Sequence, residues 1–131
     1  MFRAAFLALA AISTAAPAAP LTIKMGESWA FAVENGQPAH AHRVAPDAKP
    51  ARGEIKATLR AVAGTTMTLT NNSATAFTYR AELVGTSAKA RTCALPANNQ
   101  PSLEYWPQKA TAVILGDFKP TKDAGNCPPG K

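Results

Sequence analysis

Hydrophobic and polar residues alternate with a period of two along most of this chain, and no long segment carries the 3.6-residue period of an amphipathic helix. Leu21, Ile23 and Met25 alternate with polar neighbours. After Gly26 the pattern resumes with Trp29, Phe31 and Val33 and runs into Asn35-Gly36. That dipeptide suits the two positive-φ positions of a type I′ hairpin turn. A two-residue turn fixes the register by counting: Glu34 opposite Gln37, Val33 opposite Pro38, Phe31 opposite His40 and Trp29 opposite His42. Val33–Pro38 is then a non-hydrogen-bonded pair, so the missing proline N–H costs this ladder nothing. It does block a neighbour on the outer side, which predicts a sheet edge there.

Residues 46–53 read as a loop with two prolines. Ile55, Ala57, Leu59 and Ala61 then alternate with Glu54, Lys56, Thr58 and Arg60. Ala63-Gly64 turns the chain, and Met67 and Leu69 return among Thr66, Thr68 and Thr70. This is the pattern of an antiparallel pair with one buried and one polar face. Asn71-Asn72-Ser73 forms another turn. It also matches the N-x-S glycosylation pattern, although an Asx-type turn accounts for it more simply. Phe77, Tyr79, Ala81 and Leu83 mark the next strand. Residues 91–95 read as a short strand carrying Cys93, and 96–102 as a polar loop. Residues 103–106 form an aromatic segment stopped by Pro107. Residues 111–118 contain Val113-Ile114-Leu115, either a strand buried on both faces or a buried helical turn. Seven or eight short strands with regular turns predict an all-β domain, a small antiparallel sandwich or barrel.

The run from Thr66 to Ser73, followed by Phe77-Thr78-Tyr79, resembles bacterial immunoglobulin-like domains, in which an alternating strand ends at an Asn-rich turn. The resemblance covers a minor part of the chain and implies an immunoglobulin-like sandwich. Both cysteines fall late in the chain, unlike the antibody inter-sheet pair. Gly26-Glu27-Ser28-Trp29, Asn35-Gly36-Gln37-Pro38, Gly64-Thr65-Thr66-Met67 and Trp106-Pro107 also resemble small exported bacterial proteins of uncharacterised function. That resemblance implies export and a single β domain, and it transfers no activity.

Composition changes the picture at the N-terminus. Arg3, an apolar run over 4–12 and the small residues that follow have the anatomy of a secretory signal peptide over 1–18. Ala16-Pro17-Ala18 fits the small-x-small cleavage rule, and the apolar run is too short to span a bilayer. The predicted organisation is therefore a leader over 1–18, a sandwich over 19–118 and an irregular tail over 119–131. A periplasmic or secreted product is expected. In that oxidising setting Cys93 and Cys127 are expected to form a disulfide that ties the tail back. Closing such a loop stabilises a fold by about 3–4 kcal/mol, against a total of about 5–15 kcal/mol for a typical domain.

Without Arg3, 13 basic and 8 acidic residues leave a net charge of +5. The basic residues are dispersed, with no basic arm and no stripe of interleaved aromatics, so nucleic acid is not an expected partner. No remaining stretch is long and apolar enough for a helical membrane span. The charge fits an anionic envelope component or a protein partner, and a monomer is expected.

His40-Ala41-His42 is the sharpest local feature. On a strand, residues i and i+2 share a face about 7 Å apart, a spacing at which two imidazoles can ligate one Zn or Cu ion. Glu34, Asp47, Met25 and Met67 are the candidate further ligands. The competing expectation is ordinary cross-strand packing of the histidines against Phe31 and Trp29. Catalysis is not expected. The two histidines are the only side-chain bases of their kind, no nucleophile signature appears, and the carboxylates Glu27, Glu34, Asp47, Glu54, Glu82, Glu104, Asp117 and Asp123 are scattered. No phosphate-cradling glycine loop or dinucleotide fingerprint is present, so no cofactor is expected beyond the metal alternative. Tyr105 and Trp106 form a possible binding face, weighed against a core position for Trp106 in a domain poor in large residues. The expected function is an exported, non-enzymatic binding or structural module of the cell envelope, with a periplasmic Zn/Cu-binding protein as the alternative.

Overall fold

The computed structural model describes residues 17–129, so the expected leader lies outside the described residues apart from its last two. The described residues form nine strands and no helix. They are β1 (Leu21–Lys24), β2 (Ser28–Glu34), β3 (Gln37–Arg43), β4 (Ile55–Arg60), β5 (Thr65–Asn71), β6 (Ala76–Val84), β7 (Lys89–Ala90), β8 (Pro101–Trp106) and β9 (Ala112–Thr121). All pairings are antiparallel. A four-stranded sheet has the order β1-β9-β6-β7 and a five-stranded sheet the order β3-β2-β4-β5-β8. The result is the expected small β-sandwich. Its likeness to immunoglobulin domains is one of architecture. In the immunoglobulin pattern the first strand pairs with the second, whereas here β1 pairs with β9.

Alternation supplies the core. Phe31, Ile55, Ala57, Leu59, Met67, Leu69 and Trp106 from one sheet meet Ile23, Tyr79, Ala81, Leu83, Val113, Leu115 and Phe118 from the other. Phe118 lies at the aromatic centre. Its ring is 5.4 Å from Tyr79 in a stacked pair, 5.6 Å from Phe31, and 5.9 Å from Phe77 edge-on, geometries that the aromatic quadrupole prefers.

The first hairpin begins in the expected register, with Glu34 opposite Gln37 and Val33 opposite Pro38. β3 is a sheet edge, as the proline predicts. The outward Pro38 carbonyl accepts the Ala19 N–H at 3.1 Å. Beyond Ala32–Ala39 the expected register fails. His40 takes φ +53° and, with Ala41, faces the single residue Phe31. This is a β-bulge with its first residue in the left-handed region. It moves His42 opposite Ala30 and Arg43 opposite Trp29. His40 therefore shares Phe31 with Ala41 instead of forming a regular pair, and His42 does not pair with Trp29. Arg43 takes that place, with its guanidinium 5.9 Å from the Trp29 ring centroid and one N–H donated to Glu27 Oε2 at 2.6 Å.

A second bulge lies in β9, where Asp117 (φ +54°) and Phe118 face Tyr79. It frees the Phe118 N–H, which donates to the Gly36 carbonyl at 2.7 Å. Gln37 Nε2 donates to Asp117 Oδ1 at 2.9 Å. The tip of the first hairpin is thereby tied to a central strand of the opposite sheet.

The expected strand over 91–95 does not form as one piece. β7 covers only Lys89–Ala90, and Leu95 makes an isolated bridge to Phe77. Between them the chain leaves the ladder, and Thr92 Oγ1 donates to the Tyr79 carbonyl instead. Cys93 sits in this interruption and forms the disulfide with Cys127. Ala94 N–H donates to the Asn126 carbonyl and Gly125 N–H to the Ala94 carbonyl, so the tail is laced to the body beside the bond. β9 runs to Thr121, past the boundary expected at 118. Its Val113 and Leu115 are fully buried while Ile114 is only partly covered, so it is a one-sided strand.

Candidate functional site

The bulge decides the fate of the histidine pair. His40 Nε2 lies 3.0 Å from Glu34 Oε1, whereas His42 Nε2 lies 3.7 Å from Glu54 Oε2. His42 Nδ1 also bonds the His40 carbonyl at 3.0 Å. The two rings are thus engaged by different carboxylates. Of the other candidate ligands, Met67 is fully buried in the core, Met25 packs against the core edge, and Asp47 lies exposed in the loop after β3. Among the described residues no group of three or more His, Cys, Asp and Glu side chains comes together at metal-binding distance.

Tyr105 and Trp106 do not share a face, because successive residues on a strand point to opposite sides. Trp106 is 4% exposed, belongs to the core, and donates its indole N–H to the Arg91 carbonyl at 3.2 Å. Tyr105 is 48% exposed, and its hydroxyl donates to the Ala63 carbonyl at 2.6 Å. The pair expected as one binding face separates into a core residue and a surface residue.

Glu104, between them, turns inward and is 1% exposed. Its Oε1 accepts the Cys93 N–H at 3.1 Å, so a buried carboxylate holds the irregular segment that bears the disulfide. Burial, and after it the Glu104 charge, push the Tyr79 phenol well above the ordinary tyrosine range. Tyr79 therefore stays protonated.

The outer face of the five-stranded sheet has a different character. Strand register places its residues in three rows: Lys56, Thr70 and Pro101; Thr58, Thr68 and Leu103; Arg60, Thr66 and Tyr105. Adjacent columns lie about 4.8 Å apart and successive rows about 6.7 Å apart. Among the described residues, the three exposed large apolar side chains are on this face or at its margin: Leu103 (64%), Val62 (58%) and Tyr105. Val62 is joined to the grid by its carbonyl, which accepts from Thr66 Oγ1 at 3.3 Å. Pro46, Lys56, Thr58, Arg60, Thr68 and Thr70 line a shallow depression of about 400 Å³, and none of them is acidic. Lys56 Nζ donates to the Pro46 and Ala48 carbonyls at 2.5 and 2.6 Å, leaving one of its three N–H groups for a further acceptor. Arg60 is exposed and engages no acidic side chain among the described residues. The cue in the sequence was Thr66-x-Thr68-x-Thr70 on one strand, with Lys56 and Arg60 at the same parity on its neighbour.

Comparisons with protein-family models, with curated proteins and with solved structures find no match to this chain.

Proposed function

We propose that this protein is a non-catalytic binding module of the cell envelope, working outside the cytoplasm, and that it binds through the outer face of its five-stranded sheet. One observation carries the reading: among the described residues, the exposed large apolar side chains Leu103 and Tyr105 lie on one sheet face with Val62 at its margin, beside two cations and four threonines. Scattered surface apolar residues need no explanation, but a patch rimmed by polar groups marks an interaction surface. The Cys93–Cys127 disulfide supports an oxidising location, since such bonds persist outside the cytosol.

The experiment is retention on isolated, washed envelopes, comparing the wild-type protein with Leu103→Glu and Tyr105→Ser. Both substitutions fall on exposed side chains, and circular dichroism of each variant checks the fold. Loss of retention in folded variants supports the reading. Undiminished retention of both moves the binding surface elsewhere.

A further inference from the structure

Resting on that surface, the geometry points to its ligand class: an acidic polysaccharide, lying across β4, β5 and β8 with its carboxylates on Arg60 and Lys56 and a sugar ring against Tyr105. Charge complementarity selects the sign. The lining of the depression holds two cations and no carboxylate. The guanidinium of Arg60 offers a planar fork of N–H donors that matches a carboxylate.

Hydroxyl chemistry selects a sugar over a protein. Thr58, Thr68 and Thr70 line the floor between the cations, and each hydroxyl can both donate and accept. Thr58 Oγ1 is held by Ser28 Oγ at 2.8 Å, so part of this floor is fixed before a ligand arrives. The depression is shallow and offers no deep apolar socket of the kind that receives a protein anchor residue. Tyr105 is tethered at its hydroxyl by the Ala63 carbonyl, which leaves an amphipathic ring beside the threonine column.

The dimensions suit a chain of rings. Arg60 and Tyr105 occupy one row two strands apart, about 10 Å between backbones. Arg60 and Lys56 are four residues apart on one strand, about 13 Å. Two linked sugar units cover the first span, and the two cations reach successive acidic groups along the polymer.

The test uses polygalacturonate as the acidic probe, dextran as the neutral one and polyphosphate as a polyanion without sugar rings, with affinity measured by calorimetry. The expected result is binding to polygalacturonate, none to dextran, and binding to polyphosphate weaker than to polygalacturonate. Arg60→Gln should weaken polygalacturonate binding at least about tenfold, the loss of one charge-assisted contact. Lys119→Gln removes the same charge from β9 on the opposite sheet and should leave affinity within about twofold. Tyr105→Phe should retain affinity and Tyr105→Ser lose it. Equal effects of Arg60→Gln and Lys119→Gln, or polyphosphate binding as strong as polygalacturonate, would reduce the interaction to net charge and overturn the proposal. Failure to bind polygalacturonate also overturns it. If Leu103→Glu and Tyr105→Ser still lose envelope retention in that case, the binding face stands and only the ligand class falls.

Discussion

Gly64→Ala is the substitution on which the β4–β5 turn and the β8 edge depend together. Gly64 has φ +129°, a backbone conformation that L side chains rarely adopt. A Cβ there would lie 2.5 Å from the Trp106 carbonyl oxygen, 2.9 Å from that of Pro107 and 3.0 Å from the Pro107 carbonyl carbon. All three are backbone atoms, and their segment cannot swing away freely. Thr65 pairs with Trp106, Thr65 Oγ1 donates to the Gln108 carbonyl at 2.7 Å, and the same hydroxyl accepts the Ala110 N–H at 2.9 Å. The strained backbone costs about 1–3 kcal/mol. Displacing residues 106–108 loosens the two Thr65 bonds, at about 1 kcal/mol each. The sum, about 3–5 kcal/mol, is a large share of the roughly 5–15 kcal/mol that holds a small domain. Gly53→Ala is the matched control. Its φ is +86°, and its added Cβ meets nothing within 4 Å, so only the same backbone term of about 1–3 kcal/mol applies, without the clash and without the loss of the Thr65 bonds. Equilibrium urea denaturation of the oxidised proteins measures both. If Gly64→Ala costs no more than Gly53→Ala, the close approach of the residue 106–107 backbone to the turn is wrong.

Replacing Cys93 and Cys127 together by serine should lower stability by about 3–4 kcal/mol, and limited proteolysis should then cut first beyond Thr121, where the strand ends. Cleavage within β5 or β6 at the same rate would contradict that order. Glu27 accepts the Lys24 N–H and the Trp29 indole N–H and pairs with Arg43, and these contacts hold its carboxyl below the ordinary glutamate range, the Lys24 bond most of all. A depressed carboxyl contributes stability above its unfolded value and loses it as pH falls through the folded one. The melting temperature of Glu27→Gln should therefore converge on that of the wild type in acid and diverge near neutrality, and a constant gap would refute the linkage. At the β3 bulge, His40→Gly should be nearly neutral and His40→Val clearly destabilising, because a β-branched residue resists φ +53°. Equal melting temperatures for the two variants would argue against the bulge.

The strands and the sandwich were legible because alternation and turn residues act locally. Leu59, Met67 and Leu69 reach the core through their parity, and Asn35-Gly36 fixes the first pairs of its hairpin. The bulges were not legible. A left-handed bulge position is usually flagged by glycine, and here His40 and Asp117 occupy it. One unflagged residue at His40 was enough to break the regular His40–Phe31 pair and to move His42 away from Trp29. β8 hid the candidate site for a related reason. Its alternation is inverted against hydropathy, with Glu104 inside and Leu103 and Tyr105 outside. The Cys93 N–H, brought in from the interrupted edge of the other sheet, helps make the buried carboxylate tolerable. The threonine grid is invisible until β4, β5 and β8 are known to be neighbours.

The order β1-β9-β6-β7 bears on timing. β9, the last of the described strands in chain order, fills the place between the first strand and the sixth. Until it arrives, β1 has no partner in its own sheet, Phe118 is missing from the aromatic centre, and the hairpin tip at Gly36 has nothing to grip. Pairing across nearly the whole chain is slow to form. The four-stranded sheet therefore stays open until β9 has docked, and the Cys93–Cys127 bond then secures the segment that follows it.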